Sequence, residues 1–233
     1  MPERFIRTEA IFGNEAMEKL KNAKILIFGI GGVGGLVMDA LVRSGVGTLG
    51  LVDNDTISLS NLNRQIIATT ETLGLSKTDA ALKHIACVNP ACNVQLYNTF
   101  YTPECTEIPF NAYDYIVDAI DTVTSKIDII EKARQLKIPV ISSMGTGNKT
   151  DPTKLCITDI EKTSVCPLAR VMRRELRKRN IRHIKVLFST EEPTNATVNT
   201  ERTERHVPGS FMPVPATAGL IIASEVIKDI IRN

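Results

Sequence analysis

A run of glycines between an apolar segment and an amphipathic one narrows the possible folds of this chain more than any other feature. Ile25 to Phe28 are uninterrupted apolar residues, the composition of a parallel strand covered on both faces. Gly29, Gly31, Gly32 and Gly34 follow, and Leu36 to Val42 then repeat apolar residues at helical spacing. Thr48 to Val52 read as a second short strand with Asp53 at its carboxyl end. Strand, glycine turn, helix, strand is an arrangement that suits a nucleotide. Glycines let the backbone turn tightly and let phosphate oxygens come close, and a helix N-terminus offers N–H donors and the positive end of a dipole. Asp53 stands 19 residues beyond Gly34, the usual spacing of a carboxylate that accepts hydrogen bonds from ribose hydroxyls. A tight turn without a ligand could use the same glycines, and the motif alone does not separate a dinucleotide from ATP.

The alternation continues. Residues 55–66, DTISLSNLNRQI, are dense in Asp, Asn, Ser and Thr and predict a turn-rich loop leaving the carboxyl end of a strand. Arg64 and Lys77 can face phosphates there, with Asp55, Asn61 and Gln65 as polar neighbours; each is also an ordinary surface residue if no ligand binds. A helix is predicted over Ser76 to Val88 and a strand over Val94 to Tyr97. Asp114 to Asp121, DYIVDAID, predicts a core strand ending in two carboxylates, Asp118 and Asp121. Such a pair could hold Mg²⁺, which takes one or two carboxylates plus substrate phosphates; the plain alternative is that Asp121 caps the following helix, Val123 to Leu136. Val140 to Ser143 complete a third unit. The expected fold class is therefore α/β, a Rossmann-like, doubly wound and mainly parallel sheet extended by C-terminal strands and helices.

At the N-terminus a helix is predicted to end the arm Pro2 to Lys21, with Asn14 as its cap and Ala16, Met17 and Leu20 as its apolar face. Arg4 and Arg7 precede it, on a segment with little reason to pack alone. Beyond Gly145, Leu155 to Ile160 read as a strand and Cys166-Pro167 opens a helix. Residues 170–185 carry eight Arg or Lys against a single Glu, an excess hidden by a whole-chain charge of +2. Arg170, Arg173, Arg174 and Arg177 fall at i, i+3, i+4 and i+7 and share one helical face, either a solvated surface or a nucleic-acid footprint. A strand at Val186 to Ser189 is followed by a polar stretch, Thr190 to Ser210, expected to be a mobile loop. The last helix, near Pro215 to Ile231, offers Leu220, Ile221, Ala223, Ile227 and Ile230 to the sheet.

Composition excludes some classes. The longest apolar run, Ile25 to Met38, spans 14 residues and contains the glycine turn, short of the roughly 20 that cross a membrane. The start MPERFIRTEA has no apolar stretch of a signal peptide, so a cytoplasmic location is expected. Five cysteines without a CxxC pair argue against a disulfide framework and a four-cysteine zinc site.

In this order, GIGGVGG, VDND, SNLNRQ, GLSK and DAID resemble the ThiF/MoeB/HesA superfamily of E1-like adenylating enzymes, over nearly the whole chain. The resemblance implies one adenylating domain over residues 1–233, with a nucleotide-binding core at 24–143 and a substrate-side extension at 144–233. It implies that Gly29, Gly31, Gly32 and Gly34 line the ATP phosphates and that Asp53 binds the ribose. Asp55, Asn61, Arg64, Gln65 and Lys77 would contact ATP, and Asp121 would hold Mg²⁺. Arg7 stands where the family has an arginine that reaches into the partner subunit of a homodimer. The segments TDIEKTSVCPLARVMRRELRKR, LFSTE and GSFMPVPATAG look like the branch that dehydrates threonylcarbamoyladenosine at position 37 of tRNA. That branch implies ATP-dependent adenylation of the threonyl carboxylate, closure of a ring, and tRNA binding by Arg170, Arg173, Arg174 and Arg177. Two other classes use parts of the same pattern. An activator of a ubiquitin-like or sulfur-carrier protein would share the first step, with Cys166 as acceptor and sulfur-transfer accessory proteins as partners. A nicotinamide-dependent oxidoreductase would leave Arg64, Lys77 and Asp121 without a common task.

Overall fold

In the computed structural model, which describes residues 2–198 and 207–232, the apolar run becomes β1 (Lys24–Phe28) at the centre of a seven-stranded sheet. Its partners are β2 (Thr48–Val52), β3 (Asn93–Tyr97), β4 (Tyr115–Asp118), β5 (Val140–Ser143), β6 (Leu155–Asp159) and β7 (Lys185–Ser189). The order is β3-β2-β1-β4-β5-β7-β6, and only the β6–β7 pairing is antiparallel. The α/β, mainly parallel fold read from the sequence is the fold observed.

Both faces of the sheet are covered, which is why β1 needs no polar alternation. Ile25 and Ile27 point to one side, where α2 (Gly34–Arg43), α3 (Lys77–Val88) and α6 (Pro213–Arg232) bury Val37, Leu41, Ala81, Ile222 and Val226. Leu26 and Phe28 point to the other, against Ile116, Tyr101, Phe110 and, from α4 (Val123–Gln135), Ile129. Each such side chain, fully withdrawn from water, contributes roughly 1.5–3 kcal/mol. A third cluster seats α5 (Pro167–Lys178) on α4 and β7 through Met172, Leu176, Ile130 and Val186.

Two backbone approaches set the layer spacing. A Cβ added at Gly34 would lie 1.8 Å from the carbonyl oxygen of Gly29, so α2 starts pressed against the end of β1. A Cβ at Gly219 would lie 2.5 Å from the Val33 carbonyl oxygen, so α6 crosses α2 at its first turn.

Several sequence expectations need correction. The N-terminal arm is not loose. After a 3-10 turn at Glu3–Phe5, α1 (Ile6–Asn22) is broken at Gly13 (φ 82°, ψ 166°) and resumes at Asn14, with Ala16, Met17 and Leu20 buried as expected. Phe5 is buried beside Gly45 and Met17, and Arg4 donates to the Val88 carbonyl at 3.0 Å. β4 stops at Asp118, so Asp121 lies in the loop beyond the strand. α5 ends at Lys178 rather than continuing through the basic run, because Asn180 and His183 adopt positive φ before β7. Leu220 is half exposed rather than packed on the sheet. Within Thr190 to Ser210, expected to be a mobile loop, β8 (Thr197–Val198) pairs antiparallel with β9 (Val207–Pro208); residues 199–206 of that stretch lie outside the described residues.

The deepest polar feature is an ion pair at the end of β4. Asp118 and Lys126 are fully buried and 2.8 Å apart. Asp118 also accepts from Ser142 at 2.5 Å and from the Ile120 N–H at 3.3 Å, while Lys126 donates to the carbonyls of Ile120 and Ser143 at 3.1 and 2.8 Å. Asp118 is thereby committed to the fold and is not half of a metal-binding carboxylate pair. Lys126→Met should lower unfolding stability by about 3–5 kcal/mol, because a buried carboxylate is left unpaired. The double change Asp118→Asn/Lys126→Met should recover part of that loss in chemical denaturation; a loss in the double equal to the sum of the losses in Lys126→Met and Asp118→Asn would mean the two groups are not coupled.

Candidate functional site

The carboxyl ends of β1, β2, β4 and β5 open into a cavity of about 690 Å³. It lies between the neighbouring strands β1 and β4, whose following connections run in opposite directions, to β2 and to β5, the usual place for a ligand in an open α/β sheet.

Its floor is the glycine turn and the first turn of α2. Gly29, Gly31 and Gly32 line it. At Gly31 an added Cβ would meet nothing within 4 Å, so the packing of the chain itself does not call for glycine there. Open space above the N-terminus of a helix whose first in-helix donor is Gly35, bonded to the Gly31 carbonyl at 2.9 Å, suits an anion. Gly34 does not line the cavity; it lies behind the turn, against Gly29.

Asp53 forms the next wall. Its oxygens accept from the N–H groups of Ile30 (2.7 Å) and Asp55 (2.9 Å), which pins the glycine turn to the end of β2. A carboxylate has about four acceptor sites, so capacity remains for a hydroxyl donor. Lys77, the first residue of α3, is nearly buried with its Nζ 2.6 Å from Asp55 Oδ2 and 3.6 Å from Asp53 Oδ1. Ser76 caps that helix by accepting from the Asp79 N–H at 3.0 Å.

The polar loop after β2 supplies three more side chains. Asn61 closes a capping box with Ser58 at the 3-10 turn Leu59–Asn61. Arg64 donates to the Ser60 carbonyl and to Asn63 Oδ1, both at 2.9 Å. Gln65 is 6% exposed, lines the cavity, and its Oε1 has no partner among the described residues. A buried acceptor left unmatched costs about 1–3 kcal/mol, so this amide fits a ligand donor better than it fits the fold alone. Across the cavity Asp121 is exposed; among the described residues it neither caps α4, whose N-cap is Thr122, nor forms an ion pair.

Other lining residues escaped the sequence reading. Thr99 to Tyr101 follow β3, Ser143 to Gly147 follow β5, and Pro208 to Ser210 form a side wall. That wall is clasped to the loop after β5: Gly209 N–H donates to Asn148 Oδ1 at 2.6 Å, Asn148 N–H to the Gly209 carbonyl at 2.8 Å, and Thr194 N–H to the Asn148 carbonyl at 2.8 Å. Nearby Lys149 is almost fully buried, and burial pushes its pKa down. Burial and the hydrogen bond to Asp128 push the Tyr101 phenol well up, so it stays protonated. The first two groups were available to sequence reasoning, since ligands gather at the carboxyl ends of parallel strands.

Some predicted site residues are elsewhere. Arg7 is exposed on the turn after Phe5, at the C-terminal end of α2, whereas the cavity is at its N-terminal end. A ten-residue helix spans about 15 Å, so Arg7 does not reach the cavity of its own chain. Cys166 is buried with Ile160, Ala169 and Met172 and does not line the cavity. Arg170, Arg173, Arg174 and Arg177, with Lys178, line a separate surface pocket of about 460 Å³. No group of three or more His, Cys, Asp or Glu that could hold a metal occurs among the described residues, and no described helix is long and apolar enough to cross a membrane.

Comparison with known proteins agrees with the fold. The tRNA threonylcarbamoyladenosine dehydratase of Bacillus subtilis is 40% identical over 245 residues, covering 100% of this chain and 96% of that protein. The crystal structure of Escherichia coli tRNA N6-threonylcarbamoyladenosine dehydratase, TcdA, in complex with ATP superposes with a TM-score of 0.88 at 32% identity, over 99% of this chain and 94% of that one. The same enzyme in complex with AMP gives a TM-score of 0.86 at 32% identity, with the same coverage. The model of the ThiF family matches residues 4–233, and the chain belongs to the ThiF family.

Proposed function

We propose that this protein is a cytoplasmic, ATP-dependent tRNA threonylcarbamoyladenosine dehydratase that activates the threonyl carboxylate as an adenylate. The observation that carries the reading is the convergence, on one cavity, of an open glycine turn, the cations Lys77 and Arg64, and the Gln65 amide oxygen and Asp121 carboxylate, both without a partner among the described residues. An oxidoreductase has no use for that set. Similarity to the B. subtilis dehydratase and to the E. coli enzyme in complex with ATP supports the same choice. Residues 24–143 would then bind the nucleotide and residues 144–233 would present the substrate.

In the first step a threonyl carboxylate oxygen attacks the α-phosphorus of ATP, the bond to the bridging oxygen breaks, and pyrophosphate leaves. Lys77, Arg64 and the N–H groups at the start of α2 offset the charge developing on the phosphate oxygens, usually the largest catalytic contribution. Asp121 would hold Mg²⁺, and one or two carboxylates plus phosphates are the donors that ion prefers. When bound, the ion adds further neutralisation of the phosphates. In the second step a nitrogen of the same side chain attacks the activated acyl carbon, a ring closes, the nitrogen gives up its proton, and AMP leaves. An intramolecular nucleophile can have an effective molarity of roughly 10⁵–10⁸ M, so no enzyme thiol is required.

The second reading, activation of a ubiquitin-like or sulfur-carrier protein tail with sulfur-transfer partners, needs Cys166 as acceptor. Its burial in an apolar cluster argues against that role. Pyrophosphate release measured with threonylcarbamoyl-modified tRNA and, separately, with a carrier-protein tail tests the choice. Release driven only by the carrier tail would overturn the dehydratase reading.

Asp121→Ala should abolish ATP-dependent pyrophosphate release with an unchanged circular dichroism spectrum; near-normal turnover would remove Asp121 from the mechanism. Cys166→Ser should keep most of the dehydratase activity, and complete loss in a folded variant would favour the carrier-protein reading.

The position of Arg7 makes a homodimer part of the proposal. Ile6, Ile11 and Phe12 beside it are 60%, 77% and 42% exposed, an apolar face that a second copy would cover. In a two-fold dimer each site would take Asp121 from one chain and Arg7 from the other. Arg7→Ala and Asp121→Ala dimers should each be nearly inactive. Refolded together with random pairing, half the dimers are mixed, and each mixed dimer has one intact site, so activity should return to about a quarter of wild type. No recovery, with subunit exchange demonstrated by mass-tagged chains, rules out Arg7 acting across the interface.

A further inference from the structure

The basic surface of α5 is not uniform. Two of its four in-line arginines are committed to the fold. Arg177 forms a two-point ion pair with Glu161, its Nε 3.0 Å from Oε2. Arg173 is half-buried and donates to the Thr163 carbonyl at 2.8 Å as well as to the Thr163 hydroxyl. Both contacts fasten α5 to the 3-10 turn Ile160–Lys162 and the residue after it.

The other two keep their charge. Arg170 is exposed and has no hydrogen bond or ion pair among the described residues. Arg174 is 69% exposed at the side chain and meets only its neighbour Glu175, at 3.1 Å. Glu175 is itself shared, lying 2.9 Å from Lys178 and 3.5 Å from Arg179. Arg179 also meets Glu131 at 3.2 Å, so three cations with two carboxylates leave a net charge of about +1 there, and Arg170 adds another. The pocket between these side chains is lined by cations alone: Arg170, Arg173, Arg174, Arg177 and Lys178.

The pocket is also tied to the cavity. Leu168, in the first turn of α5, lines the cavity wall, and Arg170 follows two residues later. From Leu168 to Arg174 is about 9 Å along a helix axis. A polyanion lying on α5 would therefore run from the cavity rim outward over Arg170 and Arg174.

We propose that this face of α5 docks the sugar-phosphate backbone of the RNA substrate beside the modified nucleotide, and that Arg170 and Arg174, not Arg177, carry the phosphate contacts. The inference rests on the tRNA reading above and adds where the RNA lies. Charge complementarity selects the occupant: a pocket lined by five cations, two of whose arginines have no carboxylate of their own beyond the shared Glu175, repels a basic partner and suits a polyanion. Phosphate contacts position the chain without reading its sequence, leaving discrimination to the cavity that receives the modified base.

The test uses the full-length protein and an anticodon stem–loop RNA, with binding followed by fluorescence anisotropy from about 50 to 200 mM salt. Each phosphate contact contributes about 0.7–0.9 to the slope of log affinity against log salt, so removing two flattens it by about 1.4–1.8. Over that fourfold range, wild type should lose roughly 7- to 12-fold more affinity than Arg170→Gln/Arg174→Gln. Arg177→Gln, whose charge Glu161 already neutralises, and Lys83→Gln, an exposed lysine on α3, should leave the slope near wild type. ATP affinity should be unchanged in all of them. An unaltered slope in the double variant, with turnover on modified tRNA intact, overturns the docking site and spares the dehydratase reading. Pyrophosphate release without any dependence on RNA overturns both. A double variant that changes sedimentation of the protein without changing RNA binding also overturns the proposal, and makes this face a contact between protein chains.

Discussion

The buried pair between Asp118 and Lys126 is the interaction on which the candidate site depends. Neither side chain is exposed, so both charges have been taken from water at a cost of several kcal/mol each. Their attraction offsets this only because the remaining valences are also met, by Ser142 and the Ile120 N–H on one side and by two carbonyls on the other. A well-packed apolar pair could be equally stable. It could not fix the ends of β4 and β5 and the first turn of α4 to one another. Those three segments deliver Ile120 to Thr122 and Ser143 to Gly147 to the cavity, so the position of Asp121 is set by a lysine that never touches the cavity.

A second constraint works through absent side chains. Gly34 lets α2 start against the Gly29 carbonyl, and Gly219 lets α6 cross against the Val33 carbonyl. Both contacts lie within one turn of the cavity floor. Through the second, the C-terminal helix brings Pro215 to within 3.2 Å of where a Cβ on Gly32 would be. The C-terminal helix thus meets the glycine turn, and β6 and β7 extend the same sheet that starts with β1. The proposed nucleotide side and the proposed substrate side share one frame.

What the sequence made legible follows from this construction. β1, β2 and β5 are short apolar runs bounded by turn residues, and their limits agree with the reading to within a residue. Gly31, Gly32, Asp53, Asn61, Arg64, Gln65, Lys77 and Asp121 come from five separate segments and line one cavity. Local pattern failed where a charge was spent on the fold. Lys126 carries no motif signal of its own, yet it shares the inward face of α4 with Ile130 and Ala133; a lysine in phase with core residues asks for a buried carboxylate. The four arginines of α5 are equivalent by spacing, and only the turn from Ile160 to Thr163, distant in sequence from Arg177, distinguishes them. The break in α1 at Gly13 and the end of α5 before Asn180 and His183 were set by positive-φ residues rather than by periodicity.

The proposed chemistry gives the side wall a reason. An acyl-adenylate whose nucleophile arrives on the same side chain needs no thiol, but it must not meet water before the ring closes. Here the cavity has the loop after β5 on one side and Pro208 to Ser210 on the other, joined by hydrogen bonds through Asn148 that do not involve the nucleotide. Such a wall can be in place before substrate binds, with no ordering cost at the moment of reaction. The catalytic demand then falls on electrostatics in the first step and on exclusion of solvent in the second. In the proposed reaction Lys77 and Arg64 would meet the first demand, and the Asn148 clasp would serve the second.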